Sequence, residues 1–192
     1  MKLVFATHNQ HKFDEVKALL PDYIELLHLD AIGCTEEIPE TATTIAGNAL
    51  LKSRYVTETY GYNCFADDTG LEITALGNEP GVYSARYAGP GNDAQANMQK
   101  VLYNLQEKED RSARFKTVIA LCLNGAEETF TGSCEGHITK HARGDRGFGY
   151  DPIFQPNGHD ITFAEMSQTQ KGALSHRGRA IEKLRVFLRD ME

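Results

Sequence analysis

A chain of 192 residues with 41% apolar and 24% charged side chains is the size of one domain and can build a core without cross-links. Its formal net charge of −7 argues against a nonspecific grip on nucleic acid or on a membrane surface, since both want a basic face. No run approaches the ~20 apolar residues of a membrane span.

The elements follow in chain order. Residues 3–6 form a short apolar run that ends in a polar turn and predict a buried strand. Phe13, Val16, Leu19 and Leu20 then recur at helical spacing until Pro21 stops them. A second strand is expected over 23–29, a turn-rich stretch over 30–40, and a helix over 41–60 with Gly61 as its stop. Strand character returns at 64–66 and 71–76, interrupted by Asp67-Asp68-Thr69-Gly70. A Gly- and Pro-rich loop over 77–91 precedes a helix over 92–106. Strand-like runs over 113–123 and 127–139 flank Asn124-Gly125, the strongest short hairpin signal in the chain. A loop over 144–158 and a closing amphipathic helix over 176–191 complete the series. Interleaved strands and helices with a central hairpin predict an α/β fold on a mixed β-sheet. The opening apolar run is too short for a secretion signal. Cys34, Cys64, Cys122 and Cys134 contain no Cys-x-x-Cys pair, so reduced structural thiols and a cytoplasmic location are expected.

Four segments join loop character to reactive side chains. Thr7-His8-Asn9-Gln10-His11-Lys12 lies where a strand hands over to a helix, a place that suits a phosphate; taken alone, the same residues read more readily as an Asn9 N-cap beside a solvated Lys12, since capping residues before helices are common. Glu40 with Asp67 and Asp68 supplies the one or two carboxylates that Mg²⁺ takes alongside water and substrate phosphates, although Asp67-Asp68-Thr69-Gly70 also reads as a β-turn. Neighbouring strand residues point to opposite faces, so only one of the two aspartates need face a site. In Gly147-Phe148-Gly149-Tyr150-Asp151-Pro152 the glycines permit close backbone approach and Phe148 offers a face for a base; the alternative tucks Phe148 and Tyr150 into the core. Lys171 and Ser175-His176-Arg177 bring cations to a helix start, against its dipole, as an anion site would, or else form a solvated basic stretch. Together these are the parts of a metal–nucleotide site.

The same residues resemble the inosine triphosphate pyrophosphatase family, from end to end. Thr7 to Lys12 is similar to its T-x-N-x-x-K opening. Phe65 to Glu72 with Pro80 to Gly89 is similar to its longest signature, Gly147 to Phe154 to its base-pocket motif, and Thr162 to Ser167 with Lys171 and Ser175-His176-Arg177 to its closing segment. The resemblance implies a single domain over 1–192, elongated and two-lobed with a central cleft, and a homodimer. It implies hydrolysis of deaminated purine nucleoside triphosphates such as ITP, dITP and XTP to the monophosphate and pyrophosphate. Glu40 and Asp68 would bind Mg²⁺, and Asp68 would activate the attacking water, a role Asp67 could share. Thr7, Asn9 and Lys12 would hold the triphosphate, helped by Thr69 and Lys171, with Lys52 as a further cation, and His8, Gln10 and His11 would also face the substrate. Phe148, Gly149, Tyr150 and Asp151 would line the base pocket, and His176 and Arg177 would donate toward the 6-keto oxygen. Ala46-Gly47 departs from the family, which often carries an acid there, and Gly47 is expected to weaken its helix by about 1 kcal/mol relative to Ala. Two rivals stay open: a pyrophosphatase for pyrimidine or otherwise modified triphosphates, and a nucleotide-binding module without turnover.

Overall fold

The computed structural model describes residues 1–191. Its seven strands are β1 (Lys2–Phe5), β2 (Glu25–Leu27), β3 (Cys64–Ile73), β4 (Glu79–Gly81), β5 (Ser112–Leu123), β6 (Ala126–Ile138) and β7 (Phe154–Pro156). Five α-helices accompany them: α1 (Gln10–Leu19), α2 (Ile45–Tyr60), α3 (Ala94–Asn104), α4 (Gln168–Leu174) and α5 (His176–Arg189). The sheet runs β2-β1-β3-β5-β6-β7, with β4 paired to β3. It is mixed, as expected: β1 is parallel to β2 and β3, while β4 and β7 are antiparallel to their partners. No helix among the described residues is long and apolar enough to cross a membrane.

The chain divides into two compact units, the first comprising Met1–Asp68, Thr117–Gly132 and the C-terminal segment from Arg177, the second Thr69–Lys116 and Ser133–His176. In the first unit the pleat sorts the core into two clusters. Leu3, Phe5 and Phe65 pack with Phe13 and Val16 of α1 and Ala180, Ile181, Leu184 and Leu188 of α5. Val4, Ala6, Cys64 and Ala66, the alternate residues of the same strands, pack with Leu29, Cys34 and Val56 of α2. The second unit has its own core, built from Leu71 and Ile73 of β3, Met98 and Val101 of α3, Phe115 of β5, and Phe154 and Phe163.

Most elements lie where the sequence puts them, and the differences have local causes. Asp67-Asp68-Thr69-Gly70 is no turn: β3 runs unbroken through it, because Asp67, Asp68 and Gly70 are buried and Thr69 half-buried within a paired strand. The second strand covers only Glu25–Leu27, since His28 caps a short 3-10 turn over Leu29–Ile32 that Gly33 closes in the left-handed conformation. The expected helix start at 41 moves to Ile45, where the Thr44 side chain accepts the Gly47 N–H at 3.0 Å. Helix α4 is unforeseen, although Ser167 and Gln170 form the capping box that announces it. Strand β3 ends at Ile73 rather than 76, and the two expected loops contain β4 and β7. The hairpin is as predicted, with Asn124 and Gly125 both at positive φ.

Candidate active site

The alternation that sorts the first unit's core also places its carboxylates. Asp67 follows Phe65 on the face covered by α1 and α5; Asp68 follows Ala66 on the face covered by α2. Asp67 accordingly accepts Lys12 Nζ of α1 at 3.0 Å and Arg177 Nε of α5 at 3.0 Å. Burial alone would raise the Asp67 carboxyl, but the charges of Lys12, Arg177 and Lys52 outweigh it and hold that group well below the usual carboxylate range. Arg177, 2% exposed, also donates through Nη1 to Glu15 of α1 at 2.6 Å.

On the other face, Asp68 accepts Asn48 Nδ2 of α2 at 3.2 Å. One turn along α2, Lys52 is ion-paired with Glu40. Burial pushes Asp68 above its ordinary value, Lys52 and Lys12 offset this only in part, and Glu40 adds to the rise. For Glu40 the outcome is opposite: burial would raise it, but Lys52 is close enough to pull it down. Glu15, Glu40, Asp67 and Asp68 thus accompany Lys12, Lys52 and Arg177, four carboxylates to three cations. That balance leaves one net negative charge and favours an added cation. Among the described residues no three His, Cys, Asp or Glu side chains gather into a ready-made cage. Mg²⁺ needs none, because it keeps several waters and takes one or two carboxylates together with phosphate oxygens.

The opening segment bears out half of its plainer reading. Asn9 does cap α1, accepting the Lys12 N–H at 3.1 Å, and Thr7 Oγ1 accepts the Asn9 N–H at 3.1 Å. Lys12, by contrast, is not a solvated lysine, being paired with buried Asp67. His8 turns its Nε2 to the Glu36 carbonyl and Gln10 donates to Asp14, so neither joins the carboxylate cluster; His11 is exposed.

The second unit assembles a separate set. Asp151, 3% exposed, accepts Lys171 Nζ at 2.8 Å and the Phe148 N–H at 2.9 Å through the same oxygen. Lys171 Nζ lies 5.0 Å from the centre of the half-buried Phe148 ring. Gly147 permits this loop: it sits at φ 72°, and a Cβ there would stand 2.1 Å from Asp151 Oδ2. The two aromatics of the motif part company, for Tyr150 belongs to the core and donates its hydroxyl to the Ser84 carbonyl at 2.6 Å. Lys171, His176 and Arg177 are all buried, so the solvated-stretch alternative falls. His176 lies flat against Phe115, ring centres 4.5 Å apart. Gly149 takes a positive φ, and Thr69 is half-buried on β3.

Sequence reasoning missed two members of this constellation, Glu15 and Asn48. The signal for Asn48 was present: with Lys52 and Ser53 it interrupts the apolar positions Ile45, Ala49 and Val56 on the buried face of α2. Glu15, one turn after Lys12 on α1, carried no mark beyond its charge.

Known proteins resemble this chain over nearly its whole length. The chain matches the model of the Ham1 family over residues 3–187. It is 56% identical over 188 residues to a protein of Christiangramia forsetii named dITP/XTP pyrophosphatase, covering 98% of this chain and 99% of that one. A Flavobacterium psychrophilum protein of the same name is 52% identical over 190 residues, covering 99% and 100%. Among solved structures, the Staphylococcus aureus Ham1 protein superposes with a TM-score of 0.90 at 38% identity, over 100% of both chains. A HAM1 protein from Coxiella burnetii gives 0.91 at 40% identity, over 99% of each.

Proposed function

The chain belongs to the Ham1 family, and from that premise we propose that it hydrolyses deaminated purine nucleoside triphosphates, dITP, XTP and ITP, to the monophosphate and pyrophosphate. The observation that carries the reading is the adjacent buried pair Asp67 and Asp68, each set among cations on its own face of β3. A protein that only bound nucleotide would have no need of a water-activating acid such as Asp68.

The whole of 1–192 acts as one domain in this reading. Glu40 and Asp68 fit Mg²⁺ by donor type and by the net negative charge around them. When bound there, such a cation neutralises phosphate charge and lowers the pKa of water. Lys12, Lys52 and Lys171 bind phosphate oxygens and Asn9 orients them, so that water oxygen attacks the α-phosphorus in line with the bond to the bridging oxygen. That bond breaks and pyrophosphate leaves. The proton lost by the water goes to Asp68, because Asp67 is committed to its ion pairs with Lys12 and Arg177.

The base stacks on Phe148, with Gly149, Tyr150 and Asp151 shaping the loop. His176 and Arg177 donate toward O6, Arg177 oriented by Asp67 and Glu15. Adenine presents an amino donor at that position, and donor facing donor leaves buried groups unpaired. Guanine shares the O6 acceptor, so its exclusion falls to its 2-amino group.

The reading includes a homodimer, testable by light scattering, and a cytoplasmic location, supported by four buried cysteines in the reduced form. The deciding experiment is pyrophosphate release from ITP, dITP, XTP, GTP and ATP, each with Mg²⁺ and with EDTA. EDTA-sensitive release from the first three, with GTP and ATP slower by roughly a hundredfold, is expected. Release from none of them by folded protein would leave a binding module, and a preference for other modified triphosphates would reassign the pocket.

A further inference from the structure

Asn48 is 0% exposed, on a helix face whose other buried positions include Ile45, Ala49 and Val56. A fully buried carboxamide is costly unless its polar atoms are matched, and here one amide serves two masters. Its Oδ1 accepts the Ala42 N–H at 2.9 Å, and its Nδ2 donates to Asp68 Oδ2 at 3.2 Å. The orientation is fixed by chemistry: flipped, the amide would set a donor against a donor and an oxygen against a carboxylate. Ala42 lies two residues beyond Glu40, so a single side chain ties the segment that carries one carboxylate to the other carboxylate.

Gly47 adds a second observation. An ideal Cβ there would stand 2.7 Å from Ala42 Cβ and 2.9 Å from Thr44 Oγ1. Segment 41–44 therefore lies so close to the first turn of α2 that only hydrogen fits between them. Lys52, one turn after Asn48, completes the arrangement by pairing with Glu40 itself.

We propose that Asn48 and Gly47 are positioning residues that set the placement of Glu40 relative to Asp68, so that a divalent cation finds a preformed pair of carboxylates. The proposal rests on the reading that Glu40 and Asp68 hold the cation. It predicts an effect on cation binding separate from nucleotide binding, which a purely structural role would not produce.

The test is a Mn²⁺ titration of nucleotide-free protein, free Mn²⁺ being read by electron paramagnetic resonance, for the wild type, Asn48→Ala, Gly47→Ala and Glu40→Gln. It is paired with the Mg²⁺ half-saturation and the KM for ITP at saturating Mg²⁺. Both positioning variants should bind Mn²⁺ about tenfold or more weakly and shift the Mg²⁺ midpoint alike, with KM for ITP within about twofold of wild type. Should Asn48→Ala fail to fold, Gly47→Ala, which leaves every hydrogen-bonding group in place, carries the test. Loss of Mn²⁺ binding in Glu40→Gln with wild-type binding in the folded positioning variants would overturn the positioning role alone. Wild-type binding retained in Glu40→Gln would remove the cation site and the proposal with it. A wild type that binds no Mn²⁺ without nucleotide would overturn the preformed pair.

Discussion

Asp67 and Asp68 are consecutive residues of one strand, yet Asp67 is held by Lys12 and Arg177 on one face of the sheet and Asp68 by Asn48 on the other. Two identical side chains thereby receive opposite titration behaviour, Asp67 lowered and Asp68 raised. Asp68→Asn should reduce kcat by about 10²–10⁴-fold while the KM for ITP changes little, as steady-state kinetics at saturating Mg²⁺ would show. A near-wild-type rate would remove Asp68 from the chemistry.

Asp67 has a different consequence, for stability. Replacing it with Asn leaves Lys12 and Arg177 buried without their shared carboxylate, a loss of about 3–5 kcal/mol in urea unfolding at pH 7. The folded Asp67 gives up its proton more readily than the unfolded one, whose value lies near 3.8, so its stabilisation is full above that pH and is lost as pH falls below it. The gap between wild type and Asp67→Asn should therefore narrow from about pH 4 downward.

Phe148→Ala should raise KM for ITP by about 5–150-fold, the worth of one base–aromatic stack, with a smaller effect on kcat. Phe148→Tyr should restore most of it, since the ring face is retained. Equal losses in kcat and kcat/KM would instead place Phe148 at the reacting phosphate.

Gly47→Ala reverses a rule. Helix propensity alone credits the alanine with about 1 kcal/mol. The methyl would meet Ala42 Cβ and Thr44 Oγ1 at less than 3 Å, so a net destabilisation of about 1 kcal/mol is expected in chemical denaturation.

Glu36 provides an acid-range marker on the chain segment before Glu40. The hydroxyls of Tyr55 and Tyr60 both donate to its Oε1, and they pull its carboxyl from 4.5 down to about 2. The folded state thus prefers the ionised form, an advantage present above pH 4.5 and lost as pH falls toward 2. The thermal midpoints of wild type and Glu36→Gln should converge over that window, and carbon NMR of the Glu36 carboxyl should titrate below the free value.

Local chemistry was legible wherever a residue's own geometry decides the outcome. Asn124-Gly125 makes its hairpin because both residues tolerate positive φ, Gly61 ends α2 for the same reason, and Pro21 follows the end of α1. Apart from Glu15, the acidic and basic members of the candidate site were also readable, because the motifs that carry them stand out in the chain. Helix α4 and the start of α2 were missed where capping by Ser167 and Thr44 competes with looser propensity signals.

Sequence by itself therefore determined the class of fold, the family and the side chains available for chemistry, since periodicity, turn residues and motif order are properties of the chain. What only tertiary structure decided is how those side chains are divided. Asp67-Asp68-Thr69-Gly70 carries the residues of a turn until pairing and burial make it strand, and the pleat then sends Asp67 to Lys12 and Arg177 but Asp68 to Asn48. Arg177 and Asp67 are 110 residues apart in the chain. Their contact exists because α5 and β3 bury apolar faces against a common core, and no local pattern encodes a partner brought in by that packing.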